Sequence, residues 1–172
     1  MRSTKFTVVL SGARYSEAAG LLKEPGDCAI VERQGTRRQI VICCPDGCGE
    51  KLSINLDPRS GPAWRLYQRR GRWSLFPSIE KTSGCRSHFI LWGGHITWCD
   101  FEGGGEEPEL PSTLADRVLA TLHVGVPWSF VGIAEELDEI PWDVLSACHG
   151  LVRRDLLSEG TGKNCGVFTL KE

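Results

Sequence analysis

Five cysteines, Cys43, Cys44, Cys48, Cys85 and Cys99, fall in one 57-residue window that also holds His88 and His95. Three short segments carry them. "CCPDGCGE", residues 43 to 50, closes a β-branched run and turns through Pro45, Asp46 and Gly47, so Cys44 and Cys48 form a Cys-x3-Cys pair on a tight turn. Glycines there let backbone amides approach thiolates, and both sulfurs can converge on one ion. "TSGCRSHF", 82 to 89, adds Cys85 and His88 at Cys-x2-His spacing, and "HITWC", 95 to 99, adds Cys99 at the end of a strand that pairs with the one starting at His88. Together they predict a zinc site built from Cys44, Cys48, Cys85, His88 and Cys99, with Cys43 facing the opposite side of its strand. Buried free thiols at strand ends are the simpler alternative.

Five donors exceed the four of a tetrahedral ion. Four bound ligands make a closed, structural site. Three and a water make a catalytic one, because zinc lowers the pKa of its water to about 7. Such chemistry needs a proton shuttle outside the ligand set, and Glu50, two residues after Cys48, is placed for it. Ser83, Arg86 and Ser87 beside the second segment could stabilise an oxyanion or grip a carboxylate. Taken singly, each has an ordinary reading as a solvated strand carboxylate, turn hydroxyls and a surface charge. His95, four positions from Cys99 along an extended chain, reads as a strand residue, and His123 and His149 fall on helices with no second ligand close in sequence.

These residues must be held by strands. "KFTVVL", "CAIVERQ", "RRQIVIC", "KLSINL", "AWRLYQ", "RWSLF", "HFILW" and "HITWC" are short β-branched or alternating runs punctuated by Gly, Pro and Asp. They predict a mostly antiparallel β domain over 1–102, with one short helix in "YSEAAGLLK" at 15–23. "YQRRGRW", 67–73, reads as a basic hairpin. "GGGEEPELP", 103–111, reads as a linker. From 112 the period changes to helical. "STLADRVLATLHVG" has a Ser or Thr cap and a Gly stop, "SFVGIAEELDE" fits a second helix, and a third starts at Pro141 and runs to Gly160. "GVFTL" then supplies a strand. The fold class is therefore α+β: an N-terminal zinc-binding β domain and, over 112–172, a three-helix domain that resembles the winged helix-turn-helix.

Composition narrows the partners. The chain of 172 residues is 41% apolar with a formal charge of −2, which suits globular domains and offers no global attraction to nucleic acid. Over 112–172 five Lys and Arg face nine Asp and Glu, and the third helix opens Pro141-Trp142-Asp143-Val144 instead of with bases. A DNA reader neutralises phosphates and places Arg, Lys, Asn or Gln there, so no nucleic-acid partner is expected. Trp128 and Trp142 are either protein-docking anchors or core. No run reaches the roughly 20 apolar residues of a membrane span. With no export signal, and with clustered cysteines of the kind that bind metal in a reducing compartment, a cytoplasmic location without membrane association is expected.

The order "CPDGCGE", "LSINL", "PAWRL", "LFPSI", "TSGCRSHFIL", "ITWC", over about 38–100, resembles a family of small bacterial proteins encoded beside ubiquitin-like proteins and their activating and conjugating enzymes. The resemblance implies those proteins as partners, and it carries over Cys44, Cys48, Glu50, Ser83, Cys85, Arg86, Ser87, His88 and Cys99. The domain from 112 onward departs from it. Two functions are then expected. The first is a zinc-dependent peptidase or deconjugase acting on the ubiquitin-like modifier, with Glu50 activating zinc-bound water and Ser83, Arg86 and Ser87 stabilising the developing charge. The alternative is a non-catalytic zinc scaffold that recruits the modifier or its enzymes; cysteine-rich coordination favours it, since thiolate charge weakens the metal as a Lewis acid.

Overall fold

The computed structural model describes residues 2–99, 110–111 and 113–172. The chain divides into two compact units, 1–108 and 109–172. Most of the expected linker, 103–109, and the expected cap Ser112 lie outside the described residues.

The described residues of the first unit form two four-stranded sheets. One runs in the order β1 (Thr7–Ala13), β2 (Asp27–Arg33), β3 (Thr36–Cys43), β4 (Lys51–Asn55). The other runs β5 (Arg65–Arg69), β6 (Arg72–Glu80), β7 (His88–Trp92), β8 (His95–Trp98). Alternation along β2 and β3 explains their continuous apolar character. Cys28, Ile30, Ile40, Ile42 and Cys44 join Leu75, Ile79, Phe89, Leu91 and Ile96 of the second sheet in one core. Their neighbours Ala29, Val31, Val41 and Cys43 point the other way, under Ala18 and Leu22. Strands covered on both faces lose the polar half of the alternation, and each large side chain buried contributes about 1.5–3 kcal/mol.

The pairing is antiparallel except at one edge, where β1 and β2 run parallel. Parallel neighbours require a crossover. The helix α1 (Tyr15–Leu21) supplies it, and its burial of Ala18 is why "SEAAGLL" forms a helix there. The second sheet is antiparallel throughout, with a register slip between Leu75 and Ile79 of β6 against Leu91 and Phe89 of β7.

Among its described residues the second unit has three α-helices, α2 (Leu114–Thr121), α3 (Phe130–Leu137) and α4 (Pro141–Arg153), and a sheet ordered β10 (Leu157–Glu159), β11 (Val167–Leu170), β9 (Trp128–Ser129). Ser129 caps α3 by accepting the Gly132 amide at 3.1 Å. Leu114, Val118, Ile133, Val144, Leu151, Leu157 and Phe168 form its core. The third helix ends well short of Gly160. Asp155 takes a left-handed φ of 64° and the Leu156 amide closes onto Leu151 O at 3.0 Å, a helix-terminating turn that releases Leu157 into β10. Among the described residues no helix is long and apolar enough to cross a membrane.

Candidate functional site

Two strand ends build the cysteine cluster. β3 stops at Cys43, and the chain turns at once: the Gly47 amide donates to Cys44 O at 3.1 Å and the Cys44 amide to Glu50 O at 2.8 Å. Gly47 takes φ 87°, which a side chain would resist, so the turn can bring Cys48 back toward Cys44. The second loop lies between β6 and β7 and is closed by the Lys81 amide on Ser87 O at 2.9 Å. It presents Cys85 to the first turn.

Cys44, Cys48 and Cys85 place their sulfurs within 4.8 Å of one another. Cys85 Sγ is 3.6 Å from both other sulfurs. Cys44 is buried, Cys85 half-buried and Cys48 exposed. All three are free thiols, and three such donors converging from two loops fit a thiophilic ion in number, type and spacing. Burial pushes the Cys44 thiol up to about 12. Burial acts against ionisation at Cys85 too, but hydrogen bonds from the Ser87 hydroxyl and amide, and from the two other cysteines, outweigh it and bring that thiol down to about 7. Cys85 is therefore more readily ionised for a metal than Cys44.

The remaining residues singled out from the sequence take distinct places. Ser87 is buried, its hydroxyl 3.4 Å from Cys85 Sγ and 3.6 Å from Cys44 Sγ. Glu50 is exposed at its outer side, and its carboxylate accepts from the buried Lys81 ammonium. Hydrogen bonding to Glu50 raises the Lys81 pKa, and the charges of Cys85 and Cys44 add to it. Gly84 must be small here, since a Cβ would lie 3.3 Å from Lys81 Nζ and 3.5 Å from Glu50 Oε2, at a φ of +65°. Ser83 and Arg86 are exposed on the loop, the Arg86 amide donating to Ser83 O at 3.3 Å with Arg86 at φ 52°. Cys43 faces the α1 side of its sheet, where the Lys51 ammonium lies 3.1 Å from its sulfur.

Neither His88 nor Cys99 belongs to the cluster among the described residues. The Cys99 amide donates to His88 O at 3.0 Å, so these two share a strand pairing. The His88 ring turns elsewhere: Nε2 lies 3.1 Å from Ser78 Oγ. Ser78 lies within the register slip of β6, and its carbonyl accepts the Trp64 indole N–H at 3.2 Å. Both partners are half-buried. Sequence spacing drew attention to the Cys85–His88 interval and passed over Ser78, ten residues before His88. The signal lay in "LFPSI", where Pro77 interrupts a strand and forces irregular pairing.

One expectation is corrected by the family that the chain resembles. A zinc-dependent peptidase, with Glu50 activating metal-bound water, does not stand: the matching family is described as a serine protease. The geometry gives physical reasons. The converged donors are all sulfur, which dampens Lewis acidity, and the Glu50 carboxylate is held by Lys81. No curated protein and no solved structure gives a significant match. Residues 16–99, just under half the chain and all within the first unit, match the model of a family described as the bacterial ubiquitination-like system serine protease (BubE), to which this chain is similar.

Proposed function

We propose that the first unit is a serine peptidase module that hydrolyses the acyl bond at the C-terminus of a ubiquitin-like modifier, with the cysteine cluster holding a structural zinc ion. The observation that carries this reading is the match of 16–99 to a serine protease family of a bacterial ubiquitination-like system. Serine chemistry needs an imidazole at the hydroxyl, and this unit has a serine hydroxyl against a histidine ring.

Cys44, Cys48 and Cys85 would hold the zinc; three thiolates leave it a weak Lewis acid even with a water in the fourth place, so its contribution is a crosslink between the turn after β3 and the loop before β7. That loop leads directly into His88, so a metal fixed at Cys85 also fixes where the imidazole begins. Ser87 and Lys81 support the thiolates from outside. Partners of this module are the modifier itself and, through the pathway, its activating and conjugating enzymes.

For 113–172 the order of three helices followed by a β-hairpin supports a winged-helix reading. Its α4 starts Pro141-Trp142-Asp143, with Asp143 buried, so the helix start offers no cation to phosphate. A protein-docking role fits this better than DNA binding.

The test is cleavage of a ubiquitin-like protein fused at its C-terminus to a reporter. The full chain should release the reporter, and pre-treatment with a fluorophosphonate should stop it. Release that survives complete fluorophosphonate treatment would overturn the serine peptidase reading. Metal analysis should find one zinc per chain.

A further inference from the structure

We propose that Ser78 is the nucleophile of this module and His88 its general base, an assignment that rests on the serine peptidase reading above. Within the matched stretch, 16–99, the Ser78 hydroxyl lies against an imidazole, 3.1 Å from His88 Nε2. That distance lies in the range through which such pairs transfer a proton. With the ring protonated at Nδ1, Nε2 accepts the hydroxyl proton.

The surroundings distinguish Ser78 from its competitors. Ser87 is sealed at 1% exposure between two thiols, and Ser74, equally buried, accepts the Gly93 amide. Ser53 donates to Gln39 on the first sheet. Ser83 stands exposed on the cysteine loop. Ser78 is half-buried, which lets a substrate carbonyl reach it while keeping the hydroxyl in place.

Local structure aims the pair. Between Leu75 and Ile79 the β6 register slips against β7: three residues, Phe76, Pro77 and Ser78, span the interval that Ile90 alone spans on the partner. Bulges of this kind re-aim side chains and recur beside active sites. The Trp64 indole holds the Ser78 carbonyl, fixing the backbone at that point. On the other strand, His88 opens β7 in register with Glu80, two residues past Ser78. Same-face neighbours on paired strands are therefore the serine and the histidine.

The chemistry balances without a co-reactant beyond water. Ser78 Oγ bonds to the carbonyl carbon of the modifier's last residue as its proton passes to His88 Nε2. The tetrahedral adduct collapses, the bond to the amine or hydroxyl leaving group breaks, and that group takes the proton from His88. Water, giving a proton to His88, attacks the acyl ester; Ser78 leaves and is reprotonated, and the modifier departs with a free carboxylate.

The experiment is labelling of the full chain with a fluorophosphonate probe, with the adduct located by peptide mass spectrometry, beside the reporter-cleavage assay. The adduct should sit on Ser78, vanish in Ser78→Ala, persist in Ser53→Ala, and form at least about 100-fold more slowly in His88→Gln, as expected for loss of a general base. Zinc content and the thermal midpoint of Ser78→Ala should match the unaltered chain, so that loss of labelling is not loss of fold. An adduct on another serine, with cleavage intact in Ser78→Ala, overturns this assignment and leaves the serine peptidase reading standing. No adduct on any serine and no cleavage by a folded, zinc-loaded chain overturns both.

Discussion

The Lys81 ammonium, buried at 7% side-chain exposure, meets the carboxylate of Glu50 and so ties the loop that carries Cys85 to the turn that carries Cys44 and Cys48. Three thiolates around a divalent ion leave an excess of negative charge, and a buried cation beside them offsets it. Lys81 would thus support a metal held by the three cysteines. Lys81→Met should weaken zinc binding by about tenfold or more, the scale at which outer-sphere partners act. Competition against a chromophoric chelator measures it; unchanged affinity would show that Lys81 is merely buried.

Removing the metal should loosen the whole first unit, because Cys44 is part of its main core as well as of the cluster. Chelation, or Cys44→Ser, should lower its thermal midpoint by at least about 10 °C, since a domain of this size shifts by roughly 4–8 °C per kcal/mol. Calorimetry with and without chelator decides the point. Cys48→Ser, at an exposed position, should lose metal with a smaller loss of packing.

Cys85 in metal-free protein should alkylate with a midpoint near pH 7, set by its lowered pKa of about 7. The thiolate is the reactive form, so the rate rises with pH through that value and falls below it. Ser87→Ala removes the hydroxyl that favours the thiolate and should move the midpoint upward. Iodoacetamide rates followed by mass spectrometry across pH 5 to 10 would reveal an unmoved midpoint if Ser87 plays no such part.

Asp57 anchors the turn after β4: it accepts from Arg59 Nε at 2.8 Å and also from Arg38, with only 3% of its side chain exposed. Hydrogen bonding to Arg59 leads the causes that hold its carboxyl well below the usual range. A depressed folded pKa means the contribution is complete above the unfolded value of about 3.9 and drains as pH falls through the range beneath it. Asp57→Asn should therefore lower the thermal midpoint at pH 7, and the difference from the unaltered chain should shrink below about pH 4. Parallel curves down to pH 2 would contradict it.

Phe168 in β11 is fully buried in the second unit's core and edge-on to His149, with ring centres 5.8 Å apart. Phe168→Ala should cost about 3–5 kcal/mol. The damage should be confined to 109–172, leaving reporter cleavage and zinc content of the first unit in place. Urea unfolding followed by circular dichroism, with cleavage measured alongside, tests that separation.

Much of the strand order could be read from the chain because β-branched runs between Gly, Pro and Asp turns are local signals: "RRQIVIC", "HFILW" and "HITWC" coincide with β3, β7 and β8. The parallel edge could not, since a parallel pairing is decided by what α1 covers. The end of α4 was missed for a related reason. Its helical pattern continues past Arg153, and only the left-handed turn at Asp155, stabilised by burial of Leu157, stops it.

Sequence alone determined which residue types could meet a metal and that Cys44 and Cys48 share one turn, because a three-residue interval through Pro, Asp and Gly leaves the chain few other paths. It also determined the acidity of the helical unit, which is a count. Only the tertiary structure decided that Cys85 completes the cluster while His88 turns away to Ser78. Cys85 and His88 are three positions apart, but a loop that enters a strand sends successive side chains to opposite faces. Sequence distance could therefore propose a shared ion, and strand pairing alone placed the imidazole on a serine of the neighbouring strand.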